Sequence, residues 1–408
     1  MTYLRYRDHE QPGRAPRPRV VFLPGTMGSV LVKTDARLPV ARVIWGTRLG
    51  MLRFRSEPAL LMRGNGLNRH GAVATDMPPR ETKGGLVELP PQPPGLVPYK
   101  EFIERLESVA DLLVFPYDWR LSCDESALEL ERAIRARWFP GSPVAIPRED
   151  RISIVAHSMG GLVSRNSIEG RNGYRFTQRL ITVGTPHQGA PTAYTHFLGK
   201  TSALRPVLVP LPVQLALLNF CASAFQLLPN YDFVLRGGAI EPRATTYAKM
   251  PAHPTGTSVA AVIRLLRDGL YPGPSQPSLN AFLAAKRVEY HCLGSTGNST
   301  VFAYDASTGS VQRNLEGDGT VPLISALCPD GAVSLRGGLC YQSSNIRHHR
   351  FWGPVHEDLF RDRAVQDRCF SLLGITPPPT REAEGELLEE GELVEIEREL
   401  EMALEAHF

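Results

Sequence analysis

Three residues of this chain have types and neighbours suited to covalent acyl chemistry. Ser158 stands in Ala156-His157-Ser158-Met159-Gly160-Gly161, Asp318 in Gly317-Asp318-Gly319, and His356 in Pro354-Val355-His356-Glu357. A serine hydroxyl is a weak nucleophile alone. An imidazole that takes its proton, held in the right tautomer by a carboxylate, activates it. The three occur in the order nucleophile, acid, base. On this reading His356 accepts the Ser158 proton and Asp318 orients His356. Asp305 is a rival for the acid, and His348 and His349 are rivals for the base. Arg347 and Arg350 flank that histidine pair, which reads as a cationic surface loop. The plain alternative for Ser158 is a helix N-cap in an ordinary strand-to-helix turn.

The surrounding elements must then position these groups. Arg151 to Val155 is β-rich, and a helical pattern begins at once in Met159 to Ile168. A strand, a sharp turn and a helix with small residues around a serine resemble the nucleophile elbow of α/β-hydrolases, written G-x-S-x-G. Ala156 stands at the first Gly of that pattern and Gly160 at the second. The new helix aims its free N–H groups and positive end at whatever the serine attacks. Upstream, Arg19 to Leu23 reads as a buried strand that breaks into Pro24-Gly25-Thr26-Met27-Gly28-Ser29. Such a loop is where these folds hold half an oxyanion hole. The expected donors are the N–H groups of Thr26 and Met159. Met27, Trp45 and His157 are expected to contact substrate.

Strands and helices alternate through most of the chain. Helix patterns over Tyr99 to Val109 and 124–138, the latter capped by Ser122 or Asp124, separate strands at Asp111 to Pro116, 151–156 and Leu180 to His187. This predicts an α/β fold with a mostly parallel, doubly wound sheet. The core is expected over 19–189 and 288–378, with Val288 to Gly294 and Val301 to Tyr304 resuming the sheet. Residues 30–100 are poorly periodic and broken by prolines, which suits either a lid-like loop or anchors for the oxyanion loop. Residues 190–287 are rich in Leu, Val and Pro and read as an inserted, mainly helical cap. Residues 379–408 form an acidic tail in which Leu393, Ile396, Leu400 and Leu404 share one helical face. That face could dock a protein partner or pack on the chain's own body.

Composition narrows the classes. The chain has 408 residues, with 45 Lys+Arg against 42 Asp+Glu. From Arg381 on there are eleven Glu and two Arg, so the rest holds 43 basic against 31 acidic residues. A basic body suits an anionic surface such as a peripheral membrane. No nucleic-acid motif accompanies it, and nucleic acid is not an expected partner. No apolar run is long enough to span a bilayer, and the polar start has no signal-like apolar stretch. The expected address is therefore cytoplasmic, with peripheral membrane contact. The six cysteines form no metal-type cluster and read as free thiols; Cys328 and Cys340 are near enough to pair in an oxidising compartment. No metal and no organic cofactor is called for.

Several segments together resemble the lecithin:cholesterol acyltransferase family. They are Pro24-Gly25-Thr26-Met27-Gly28-Ser29, Pro116-Tyr117-Asp118-Trp119-Arg120, Ala156-His157-Ser158-Met159-Gly160-Gly161, Gly184-Thr185-Pro186-His187-Gln188-Gly189, Leu227-Leu228-Pro229 and Gly317-Asp318-Gly319-Thr320-Val321-Pro322. The resemblance implies an α/β-hydrolase fold and action on acyl esters of phospholipids or other lipids, by hydrolysis or transfer. It implies a structural role for Asp118 and Trp119 at a strand end. The family's disulfide-closed lid has no counterpart, because no cysteine precedes Cys123. Other readings are a deacylase of soluble or GPI-type esters, and an inactive hydrolase fold used for binding.

Overall fold

A computed structural model describes residues 17–33, 42–45, 82–85, 99–141, 146–200, 221–250, 278–330, 335 and 344–378. The acidic tail, most of the expected lid-like loop and two stretches of the cap (201–220 and 251–277) lie outside them.

The thirteen described strands are β1 (Arg19–Leu23), β2 (Val30–Lys33), β3 (Arg42–Trp45), β4 (Thr82–Gly85), β5 (Asp111–Val114), β6 (Ile152–His157), β7 (Thr177–Val183), β8 (Val234–Arg236), β9 (Ala239–Glu241), β10 (Glu289–Thr296), β11 (Thr300–Asp305), β12 (Ser310–Asn314) and β13 (Ile346–Trp352). Six of them form the central sheet in the order β13-β10-β7-β6-β1-β5, and every pair is parallel. A parallel sheet needs helical crossovers that cover both faces, so its inner strands are apolar throughout. β6 is buried at all six positions. β1 divides its side chains by the period of two. Val21 and Leu23 join one core with Leu130, Ile134, Ile154 and Leu162. Val20 and Phe22 join the other with Phe102, Leu106, Val155 and Phe370.

The covering helices are α1 (Lys100–Val109), α2 (Cys123–Trp138), α3 (Met159–Arg165) and a last helix, Arg363–Leu373. The Ser122 side chain caps α2 by accepting from the Glu125 N–H at 3.2 Å. Asp362 caps the last helix by accepting from Val365 N–H at 3.0 Å. Each such cap contributes about 1 kcal/mol. A sheet of this kind, with a strand-turn-helix at its centre, is the α/β-hydrolase fold.

Three expectations need correction. Val301 to Tyr304 do not rejoin the central sheet. As β11 they pair antiparallel with β12 and parallel with β8, in a separate sheet ordered β12-β11-β8-β9. The hairpin partner β12 reverses the chain, and the cap strand β8 takes the other edge. The cap therefore contributes a hairpin, β8–β9, as well as the short helices Pro191–Phe197, Ala222–Gln226 and Arg243–Ala248. His348 and His349 are not in a loop. They lie in β13, the edge strand that pairs with β10 from Ile346 to Trp352. Cys328 is disulfide-bonded, with its partner outside the described residues. Cys123, Cys221, Cys292 and Cys369 are free and buried. A structural disulfide is the mark of an oxidising compartment. The free-thiol expectation therefore fails for Cys328. Among the described residues no helix is long and apolar enough to cross a membrane.

The poorly periodic 30–100 stretch also holds regular structure. β2 pairs antiparallel with β3 and β4 directly after the Gly25–Gly28 loop. Only the backbone of these strands is described, so the contact expected of the Trp45 side chain lies outside the described residues.

Candidate active site

β6 delivers Ser158 to the C-terminal edge of the sheet, and α3 leaves directly from it. Ser158 has φ 48° and ψ −125°, a conformation costly for any residue with a Cβ. The turn persists because its neighbours are packed too closely to let it relax. A Cβ on Gly160 would sit 2.5 Å from the Pro24 carbonyl oxygen, and one on Gly25 would sit 2.9 Å from Ser158 Cβ. Both positions require glycine for space. Ala156, by contrast, points its methyl into the core and is fully buried there, which is why this position tolerates alanine.

Around Ser158 the chain brings together residues from three distant segments. Ser158 Oγ is 2.9 Å from His356 Nε2. His356 Nδ1 is 2.8 Å from Asp318 Oδ2. A carboxylate only accepts, so Nδ1 carries the proton and Nε2 is left to accept from the serine hydroxyl. Asp318 is 1% exposed, and its other oxygen accepts the Thr320 N–H at 3.0 Å and the Val321 N–H at 2.7 Å. The Gly-Asp-Gly-Thr-Val turn therefore wraps its own backbone around the carboxylate and points the free oxygen at the histidine. The backbone N–H of His356 also donates to the Asp318 carbonyl at 2.9 Å. Burial pulls the His356 pKa down, but the charge and hydrogen bond of Asp318 outweigh it and leave the pKa above the ordinary imidazole value. Asp305 is elsewhere: its carboxylate accepts from Ser307 N–H in the exposed β11–β12 turn. His349 faces His291 across β13 and β10, with the nearest ring nitrogens 3.3 Å apart.

The Gly25–Gly28 loop is a tight turn in which Gly28 N–H donates to the Gly25 carbonyl at 3.1 Å. The Thr26 hydroxyl touches Met159 Sδ at 3.4 Å, so the two residues expected to supply the oxyanion donors are in side-chain contact. Among the described residues the Thr26 N–H has no hydrogen-bond partner. Met159 is the first residue of α3, whose N–H has no acceptor within the helix. Met27 adopts φ 64° at the loop tip and packs partly against the core.

His157, expected to contact substrate, is held inside the protein. It is 5% exposed, and both ring nitrogens are engaged by the protein: Nδ1 by the Tyr99 hydroxyl at 2.7 Å, Nε2 by the His356 carbonyl at 3.1 Å. Tyr99 also accepts the Gly25 N–H at 3.1 Å. Nothing in the sequence marked Tyr99, which precedes α1 as an unremarkable aromatic. The role of Pro116-Tyr117-Asp118-Trp119-Arg120 becomes concrete. Tyr117 OH donates to the Pro24 carbonyl at 2.9 Å and ties the strand end to the start of the Gly25–Gly28 loop. Asp118 grips the fully buried Arg120 through both oxygens, and the Trp119 carbonyl accepts from Ser223 of the cap at 2.6 Å.

Residues 99–268 match the family model of lecithin:cholesterol acyltransferase. That segment is similar to the lecithin:cholesterol acyltransferase family, and the sheet around it has the α/β-hydrolase order. A match of this kind supports an ester hydrolase or acyltransferase of the α/β-hydrolase type. Among solved structures it is similar to one in a Tle4–Tli4 complex, at 14% identity over 88% of this chain and 98% of that one, with a TM-score of 0.48. It is also similar to the mature lipase BlEst2 of Bacillus licheniformis, at 13% identity over 89% and 96%, with a TM-score of 0.37. The carboxylesterase CesB of Bacillus subtilis matches at 10% identity over 88% and 85%, with a TM-score of 0.36. Likeness at this level carries no argument about activity. No curated protein matches the chain in sequence. The acyltransferase-like segment spans the elbow, the Gly184–Gly189 turn and the described first part of the cap. Asp318 and His356 lie beyond it.

Proposed function

We propose that this chain is a serine-dependent lipid acyl-ester hydrolase or acyltransferase that works through an acyl-enzyme. The observation that carries the proposal is Ser158 at a strained apex, 2.9 Å from His356 Nε2, with Asp318 2.8 Å behind that ring. Ser158 Oγ attacks the ester carbonyl as its proton passes to His356 Nε2. The carbonyl oxygen becomes an oxyanion held by the Thr26 and Met159 N–H groups. Collapse breaks the ester C–O bond, and His356 returns the proton to the leaving alcohol. Water or a second alcohol, deprotonated by His356, then attacks the acyl-serine and frees Ser158.

Support for lipid esters comes from the match of residues 99–268 to an acyltransferase family that carries lecithin in its name. A second support is the surface next to His356. Among the described residues the only exposed large hydrophobics are Leu315 (57%), Trp352 (77%) and Val355 (37%). Leu315 and Trp352 both border Gly297: its N–H donates to the Leu315 carbonyl, and the Trp352 ring lies over it. An exposed tryptophan beside a reaction site suits a membrane interface.

The test is fatty-acid release from mixed phospholipid vesicles by wild type and Ser158→Ala. Release by wild type that vanishes in the variant supports the reading. Turnover of short soluble esters with none on vesicles would move it to a soluble-ester deacylase. No turnover of either would leave a binding module.

A further inference from the structure

Two buried side chains that the acyl-transfer scheme does not use join its two halves. We propose that Tyr99 and His157 are a positioning pair that sets the register between the oxyanion loop and the base. This inference rests on the serine-ester reading above.

The hydrogen bonds form one directed chain. Gly25 N–H, in the oxyanion loop, donates to the Tyr99 oxygen at 3.1 Å. The Tyr99 hydroxyl donates to His157 Nδ1 at 2.7 Å. His157 Nε2–H donates to the His356 carbonyl at 3.1 Å. The direction follows from chemistry at both ends. A backbone N–H can only donate and a carbonyl can only accept, so His157 must carry its one proton on Nε2 and present Nδ1 as the acceptor. Each link sits on a different part of the fold: the loop after β1, the residue before α1, the end of β6, and the loop after β13.

Two further facts support the pair. Tyr99 is 3% exposed and packs edge-on against Phe22, His157 and Phe360, so its hydroxyl has little room to move. The His157 ring lies 4.9 Å from that of His356, at 35°. Burial, and then His356 itself, push the His157 pKa well below the usual value, so the ring beside the base stays uncharged. A neutral neighbour does not oppose the imidazolium that His356 becomes during the reaction. The pair thus acts through Gly25 and the His356 backbone, not on substrate.

The test uses p-nitrophenyl butyrate, a short soluble ester, with active sites counted by fluorophosphonate titration. Tyr99→Phe keeps the ring and removes the hydroxyl. The expected result is a kcat about 10- to 100-fold lower per titrated site with KM unchanged. A kcat within two-fold of wild type overturns the proposal. So does a loss that disappears once rates are divided by the fraction folded. A second comparison stands if that variant folds poorly. His157→Gln keeps a donor toward the His356 carbonyl, whereas His157→Leu does not. His157→Gln is expected to recover most of the rate lost in His157→Leu, and equal rates in the two overturn the proposal. If wild type takes no fluorophosphonate at Ser158, the serine-ester reading itself has failed. If wild type is labelled and Tyr99→Phe turns over like it, only the positioning role has failed.

Discussion

Two buried polar clusters sit at the ends of neighbouring strands, and both are built on a histidine. One is Ser158, His356 and Asp318. The other joins His187, Arg165, Glu169, Thr182 and Tyr290, just beyond β7 and under α3. In the first the imidazole faces a carboxylate. In the second it faces a guanidinium, with Arg165 Nη1 3.3 Å from His187 Nδ1 and Thr182 Oγ1 3.0 Å from Nε2. The two rings are similarly secluded, yet their pKa values move in opposite directions. Burial and then the Arg165 charge hold His187 well below the ordinary value. At His356 burial acts the same way, and Asp318 overcomes it. Burial alone therefore does not decide which way a buried histidine shifts; the group facing the ring does. Arg165 is paired with Glu169, which also accepts from Tyr290 OH at 2.9 Å, so the second cluster is an internal brace between α3 and the sheet. Both rings face a hydroxyl, and only the first has a carboxylate behind the ring.

The most direct way to break this comparison is to take the carboxylate from His356. Asp318→Asn should lower kcat by about 10⁴-fold, as loss of the orienting acid does in such triads. Its pH profile should change as well. His356 is a base only when neutral, so wild-type kcat/KM should rise with pH through an apparent pKa above about 6.5, the unperturbed imidazole value. In Asp318→Asn that acid limb should move to lower pH. An unmoved limb would mean that Asp318 does not set the charge of His356.

An attack on the brace should read out differently. Glu169→Gln leaves Arg165 buried without its counter-ion, which should cost roughly 3–5 kcal/mol of stability. Thermal unfolding should show it as a clear fall in Tm. Rates per titrated active site should stay within a few-fold of wild type. A rate loss comparable to that of Asp318→Asn would erase the distinction between the clusters.

Gly25→Ala sharpens the first cluster further. The added methyl would meet Ser158 Cβ at 2.9 Å and His157 Nδ1 at 3.0 Å, pushing the oxyanion loop away. An expected loss of about 10²-fold in kcat on a soluble ester follows from a displacement of this size. The smallest effect is expected outside both clusters. Trp352→Ala should lower turnover on vesicles several-fold and leave that of a soluble ester unchanged, a loss of about 1 kcal/mol of interfacial binding. Equal losses on both substrates would separate Trp352 from lipid contact.

Much of this arrangement was legible in the residues because each group announces itself locally. A serine between small residues at a strand-to-helix change, an aspartate between two glycines and a late histidine need no tertiary knowledge to be picked out. The central strands were legible for the same reason: with both sheet faces covered, they are continuous apolar runs. What escaped depends on contacts between distant segments. Periodicity identifies β11 as a strand but not which sheet it joins. The charged neighbours of His348 and His349 suggested a surface loop, whereas an edge strand such as β13 also leaves most of its positions exposed or half-buried. His157 looked available because it precedes the nucleophile. Only the fold brings Tyr99 to one ring nitrogen and the His356 carbonyl to the other.

The central claim is that Ser158 is the nucleophile and His356 its base. The most direct test is to react the folded protein with a fluorophosphonate across a pH series, measure the inactivation rate, and map the adduct by peptide mass spectrometry. A single adduct on Ser158, formed faster as pH rises through an apparent pKa above about 6.5, is the predicted result. An adduct on another residue, or no adduct on Ser158 in fully folded protein at any pH, would contradict it.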